Sequence, residues 1–277
     1  MPGSIGVRGA SLPSVARKVV RGLPVLVAVA VLATFAALGF RGSDAPVVPS
    51  SAKVTTAAAG RATISGSWKV TPVVAASPTS FTVADATGPT VDLFSSPGVP
   101  YGEKPQLANP TFEGLPVVFL VLDEQPDWLQ VRVSSRPNNL VLWIQRSQVA
   151  LRTVPNRVVV ELGAHRVTVF HGDTVLLQET VAVGTARTPT PLGSFFVDGI
   201  VPLTGNGPYG AGQVSVSGFS EVLHSFGGGV GQIAMHGTNR PDLLGQNVSN
   251  GCIRMGNDTV TRIMQLAPLG TPVTVVA

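Results

Sequence analysis

Cys252 is the one cysteine among 277 residues, and it sits in Ser249-Asn250-Gly251-Cys252, sixteen positions after His236. A thiol reacts as its thiolate, and at an ordinary pKa near 8.5 only about 3% is ionised at neutral pH, so a nucleophilic cysteine needs help. Two sources of help lie close in the sequence. His236 can stand beside the sulfur as a cationic partner, and a helix read to begin just after the cysteine would offer the positive end of its dipole. Gly251 lets the backbone come close to a substrate, where the Cys252 N–H would face a developing oxyanion. The chemistry implied is covalent acyl transfer. The plainer reading of a lone cysteine is a small buried hydrophobe, but this one is flanked by Gly, Asn and Arg rather than by an apolar run. A single thiol excludes an internal disulfide and any zinc site with more than one thiolate. With four scattered histidines as well, neither a metal nor a cofactor is expected.

These residues need strands to position them. With 31 Gly, 23 Pro and 12% charged residues, the chain suggests many short strands joined by turns, a mainly β protein. Residues 156–277 read as one β-rich domain. RVVVELGA, HRVTVF and TVLLQETVAVG are consecutive strands, GSFFV (193–197) and TPVTVVA (271–277) are two more, and QIAMH delivers His236 at a strand end. Residues 256–270 carry the helical spacing Val260, Ile263, Met264, Ala267, with Asn257 or Asp258 as the expected cap. Upstream, residues 81–151 read as a smaller β module. LPVVFLVLD (115–123) and WLQVRVSS (128–135) flank a turn, and Trp128 and Trp143 are expected in its core.

The charge distribution says where such a domain works. Residues 1–21 carry Arg8, Arg17, Lys18 and Arg21 and no acid, so the net charge of +4 belongs to this basic tail and the rest of the chain is neutral. A neutral body cannot form the phosphate-neutralising stripe that nucleic acid requires, which excludes that partner. Residues 22–40 are uncharged and apolar, long enough at about 1.5 Å per residue to approach the ~30 Å core of a bilayer. They read as a transmembrane anchor or signal segment, with the basic tail cytoplasmic and everything after it exported. Residues 41–80, rich in Ala, Ser, Thr, Pro and Val, read as a flexible spacer. A free thiol outside the cytoplasm invites oxidation, which strengthens the case that Cys252 is there for its reactivity.

The motifs resemble a known family. His236-Gly237-Thr238 followed by Ser249-Asn250-Gly251-Cys252-Ile253-Arg254-Met255 is similar to the signature of the L,D-transpeptidases with a YkuD-type catalytic domain. Thr188-Pro189-Thr190-Pro191-Leu192-Gly193-Ser194-Phe195 resembles that family's TPTPxGxF segment, and residues 207–210 its lid region. The resemblance covers residues 156–277 and implies a β-sandwich or barrel with one short helix after the cysteine, preceded here by what resembles a small SH3-like module at 81–151. It implies Cys252 as nucleophile, His236 as general base and acid, and the Gly237 carbonyl as the group that orients the imidazole. Arg254, Ser249, Asn250, Gly251 and Tyr209 would lie along the substrate. The substrate would be a peptidoglycan stem peptide, cross-linked 3→3 through a thioester. The family usually has a second histidine where this chain has Asn250, and an amide cannot take up a proton.

Two other readings fit parts of the pattern. A wall carboxypeptidase or endopeptidase would use the same thiol with water as acceptor, although papain-like enzymes run Cys before His and this chain runs His before Cys. A non-catalytic wall-binding protein would rely on the 81–151 module. His224 is expected to be structural, and His165 and His171 to be solvated at turns.

Overall fold

The computed structural model describes residues 76–277, so the basic tail, the apolar segment 22–40 and nearly all of the spacer lie outside the described residues. Among the described residues no helix is long and apolar enough to cross a membrane. From Phe81 onward the regular structure is mostly strand, with a single α-helix.

The first sheet occupies residues 81–154. Its strands are β1 (Phe81–Ala86), β3 (Phe94–Ser96), β4 (Val99–Pro100), β6 (Val118–Glu124), β7 (Trp128–Arg132), β8 (Val141–Gln145) and β9 (Val149–Val154), in the order β4-β3-β8-β7-β6-β1-β9; β2 (Thr90–Asp92) and β5 (Gln106–Ala108) form a separate pair. One face encloses a core of Ala84, Val91, Phe119, Leu129, Val131 and Ile144. The other face of β1 and β6 turns Val83, Val118 and Leu120 onto Phe196 of the following domain. Burial on both faces is why residues 117–120 read as an unbroken apolar run rather than an alternating one.

The tryptophans depart from expectation. Along β7 and β8 the buried positions are Leu129, Val131, Leu142 and Ile144, and the strict period of two sends Trp128 and Trp143 to the opposite, half-exposed face. Trp128 packs there edge-on against Phe94, with ring centroids 4.8 Å apart.

The second domain is an eight-stranded sheet. Its strands are β10 (Arg157–Glu161), β11 (Arg166–His171), β12 (Thr174–Thr180), β14 (Gly193–Pro202), β15 (Gly212–Phe219), β16 (Gln232–His236), β18 (Ile253–Arg254) and β19 (Pro272–Val276). They run in the order β12-β11-β10-β19-β14-β15-β16-β18, and a short pair joins β13 (Val183–Gly184) to β17 (Asn247–Ser249). Helix α1 (Asn257–Leu266) closes the core by burying Val260 and Ile263. It is shorter than the 256–270 expected and its cap differs. Gly256 is the N-cap with no side-chain bond, because the Asn257 Oδ1 is taken by the Ala211 N–H at 3.0 Å. At the other end Asn156 donates to the Leu266 carbonyl at 2.7 Å, which ties the interdomain linker to the helix terminus.

The two sheets meet at a buried acid. The β14–β15 register slips between Val197 and Gly199, and this bulge re-aims Asp198 inward. Its Oδ2 accepts from Ser134 Oγ at 2.5 Å, across from the first sheet, and from Gln232 Nε2 at 2.7 Å, while Oδ1 is buried without a partner. Burial raises the Asp198 pKa to about 6 against the pull of those two hydrogen bonds, and the nearby Glu113 charge adds to the rise. A carboxyl whose folded pKa lies above its unfolded value stabilises fully below the unfolded value and loses that contribution as pH rises through the folded one. Asp198→Asn keeps an oxygen for Ser134 and Gln232 and removes the ionisation. It should unfold at higher temperature than wild type above pH 6, by on the order of 2–3 kcal/mol, with the advantage gone below about pH 4. A stability difference that does not vary between pH 4 and 7 would refute this.

Candidate active site

Strand β16 is the inner member of three. It pairs antiparallel with β15 on one side, matching His236 to Gln213, and parallel with β18 on the other, matching Met235 to Ile253 and His236 to Arg254. Continuing that register sets Cys252 beside Ala234, and the Ala234 backbone hydrogen-bonds the thiol. Side chains alternate along strands, so Ala234 and His236 share a face with Cys252 and Arg254. The histidine and the cysteine thus meet on neighbouring strands, two residues out of step. Both line a cavity of about 300 Å3, with Tyr209, Asn250 and Arg254.

The imidazole is held from behind. His236 Nδ1 donates to the Gly237 carbonyl at 2.6 Å, since a carbonyl can only accept, and this leaves Nε2 as the free acceptor. Tyr209 leans against the ring with centroids 4.6 Å apart. Gly237 is buried where a side chain has no room: a Cβ there would run into Asn257 Oδ1 and come 2.9 Å from the Ala211 nitrogen.

The cysteine loop is braced by residues whose motif was legible but whose work was not. Thr188 Oγ1 donates to the Ser249 carbonyl at 3.0 Å, and Thr190 Oγ1 to the Gly251 carbonyl at 2.8 Å. Ser249, itself buried, donates to the Cys252 carbonyl at 2.5 Å and accepts the Gly251 N–H at 3.1 Å. Gly251 holds φ at +115°, a conformation open to glycine, with Ile233 Cδ1 2.9 Å from where a Cβ would stand. Ser249 and Gly251 are therefore loop-shaping residues behind the thiol. The repeated Thr-Pro of 188–191 supplies two hydroxyls at a spacing that reaches alternate carbonyls of the loop.

The expected electrostatics are reversed. Burial lowers the His236 pKa to about 4, outweighing the Gly237 hydrogen bond, and the Arg254 charge lowers it further. Burial likewise pushes the Cys252 thiol above its ordinary value, against the Ala234 backbone and Arg254. The resting pair at neutral pH is a neutral thiol beside a neutral imidazole, and the cationic partner anticipated from the sequence is absent because neither charge is hydrated. Helix α1 gives no substitute. It begins five residues after Cys252, with β18 between them.

The remaining residues sort cleanly. Arg254 makes none of the ion pairs among the described residues; its Nε is buried without a partner and its side chain lines the cavity. Asn250 is exposed at the cavity rim. His224, expected to be structural, is instead exposed, on a cleft that lacks Cys252 but adjoins a cavity reaching it at Phe112, Glu113, Leu115, Val230 and Gln232. His171 is exposed at the end of β11, whereas His165, expected to be solvated, is half-buried in the turn before that strand, with Nε2 2.8 Å from Asn247 Oδ1. A larger cavity of about 480 Å3 also reaches Cys252 and is walled on one side by Phe112, Glu113 and Leu115, from the first sheet's 109–117 connection. Nothing in their sequence pattern marked them, because they owe their place to the packing of one sheet on the other.

Comparison with known proteins points to a single family. The family model described as the L,D-transpeptidase catalytic domain matches residues 155–275. YkuD of Bacillus subtilis, described as an L,D-transpeptidase, is 35% identical over 123 residues, covering 44% of this chain and 67% of its own. Among solved structures, an L,D-transpeptidase from Mycobacterium smegmatis aligns at 18% identity over 58% of this chain and 90% of its own, with a TM-score of 0.36. The Enterococcus faecium L,D-transpeptidase aligns at 20% identity over 44% of this chain, with a TM-score of 0.34, and this chain spans about half of its length, 49%. The cysteine loop, the histidine strand and the relative that shares two thirds of its length with them lead to one conclusion: the chain belongs to the L,D-transpeptidase family, with its YkuD-type catalytic domain at residues 155–275.

Proposed function

We propose that the enzyme forms 3→3 cross-links in peptidoglycan through a Cys252 thioester. The observation that carries this reading is the parallel pairing of β16 with β18, which sets His236 and Cys252 on one face with Nε2 free to take a proton. Because the resting pair is neutral, the proton moves only as the bond forms. His236 Nε2 takes the thiol proton while Sγ attacks the carbonyl of the third stem residue. The tetrahedral adduct then collapses, the imidazolium gives its proton to the departing nitrogen, and the terminal D-alanine leaves. What remains is a thioester on Cys252. An amine on a second stem attacks that carbonyl, its proton passes to His236, and Sγ departs and is reprotonated, which restores the thiol and leaves a new amide.

Arg254 suits a stem carboxylate, since it lines the cavity that holds the thiol and makes none of the ion pairs among the described residues. Tyr209, against the imidazole, shields the proton-transfer pair from water. Asn250 offers hydrogen bonds at the rim and no proton. The basic tail and apolar segment 22–40 support placement outside the cytoplasm, anchored or secreted, where the wall lies.

The decisive test incubates the chain with a disaccharide tetrapeptide. Mass spectrometry should show an acyl adduct on Cys252 with loss of alanine, then cross-linked dimer, and neither in Cys252→Ala. Tripeptide without dimer would favour the hydrolytic reading, and no adduct would end the catalytic one. The neutral pair has its own signature. Iodoacetamide alkylation of Cys252 should climb about tenfold per pH unit from pH 6 to beyond 9 with no shoulder, and His236→Ala should leave it within about threefold at neutral pH while abolishing acylation. A plateau between pH 5 and 8 would establish a thiolate–imidazolium pair instead.

A further inference from the structure

The loop 220–231, between β15 and β16, walls the cleft at Cys252, since Leu223, Phe226 and Gly231 line the cavity shared with His236. Its own anchorage is thin. Val222 and Phe226 are 50% exposed and Val230 43%, three of its glycines hold positive φ, and its internal backbone pairings are a Phe226–Gly229 bridge near the tip and one bond at the base, from the Ser220 N–H to the Gly231 carbonyl at 2.8 Å. A segment with so little buried apolar surface opens easily unless something outside it supplies the ties.

Those ties come from the first sheet. Arg136, in the β7–β8 turn, donates from Nη1 to the Ser220 carbonyl at 2.9 Å and from Nη2 to the Val230 carbonyl at 3.0 Å and the Leu223 carbonyl at 3.4 Å. The fork therefore gathers both ends of the loop and a point within it. The guanidinium also sits 5.0 Å over the Phe219 ring, at the end of β15. Asn138 completes the clasp, donating to the Phe219 carbonyl and accepting its N–H, each at 2.8 Å. Gly231 fits the same arrangement: a Cβ there would strike the Leu223 carbonyl and stand 3.2 Å from Arg136 Nη2. A lysine's three donors share a single nitrogen, which could not span these three carbonyls while stacking on a ring.

We propose that Arg136, outside the residues that match the family, is a positioning residue for the reaction: it holds the 220–231 loop as a wall of the substrate cleft. The inference rests on the reading of Cys252 as nucleophile. On this view the catalytic domain does not complete its own cleft, and the first sheet is part of the working site rather than a spacer or a separate binding unit.

The test compares the full chain with Arg136→Ala and Arg136→Lys, using Arg146→Ala, which breaks an exposed pair with Glu124, as control. In Arg136→Ala, amide hydrogen exchange across 220–231 should quicken while β10 and β11 keep their protection. The KM for a disaccharide tetrapeptide should rise about tenfold with kcat within about twofold. Iodoacetamide should reach Cys252 several times faster. Arg136→Lys should fall between, and Arg146→Ala should match wild type. The proposal is overturned if loop exchange is unchanged in Arg136→Ala, if kcat falls at constant KM, or if every effect merely follows a lowered Tm. Should wild type fail to acylate, the reading of Cys252 fails, and the exchange and alkylation measurements still decide whether Arg136 holds the loop.

Discussion

Two residues sixteen positions apart cooperate only if the chain returns to the same place, and the parallel pairing of β16 with β18 is what brings it back. A parallel return cannot be made by a tight hairpin, so the intervening residues form a crossover loop that has to be stiffened from outside. Thr188 and Thr190 do this from one side and Ser249 from within, each by bonding a carbonyl of the loop. Gly251, at positive φ, is packed against Ile233 and the Pro189 carbonyl, and Gly237 against Asn257 and Ala211, so neither has room for a side chain. Move the register by one residue and His236 would face the other side of the sheet from Cys252.

Burial sets the chemistry of that pair. The strands that align the two side chains also take them out of water, and desolvation disfavours imidazolium and thiolate alike. A charged resting pair would be more nucleophilic, but a neutral one is less open to oxidation, because the thiolate is the form that oxidants attack. The Nδ1 bond to the Gly237 carbonyl then matters more than any charge: it fixes the tautomer, so that Nε2 is ready as acceptor when substrate arrives.

The two sheets depend on one another more than a chain of modules would suggest. Asp85 and Arg152 of the first sheet pair through two hydrogen bonds, and Arg152 also donates to the Leu269 carbonyl after α1. Ser134 reaches the buried Asp198, whose other partner, Gln232, begins the strand that ends at His236. Contacts from the first sheet thus run to both flanks of the site, the strand that carries the histidine and the loop that walls the cleft.

The sequence by itself determined the strands and the chemistry. Alternation in 128–133 and the Val-rich runs of 157–170 follow from a period of two, which is local, and a lone thiol flanked by Gly and Arg with a histidine at a strand end is readable as residue types in order. Even the placing of Trp128 and Trp143 was present in the alternation, which outranks the preference of large aromatics for a core. What only the tertiary structure decided are quantities that belong to no segment. Local sequence carries no record of how much water remains around His236 and Cys252. It does not show that Asn257 is claimed by Ala211 instead of capping its helix, or that Arg136 reaches more than eighty residues ahead to the cleft wall. Desolvation and long-range hydrogen bonds exist only once distant strands have packed, and in this protein they set the protonation of His236 and Cys252 and the shape of the cleft around them.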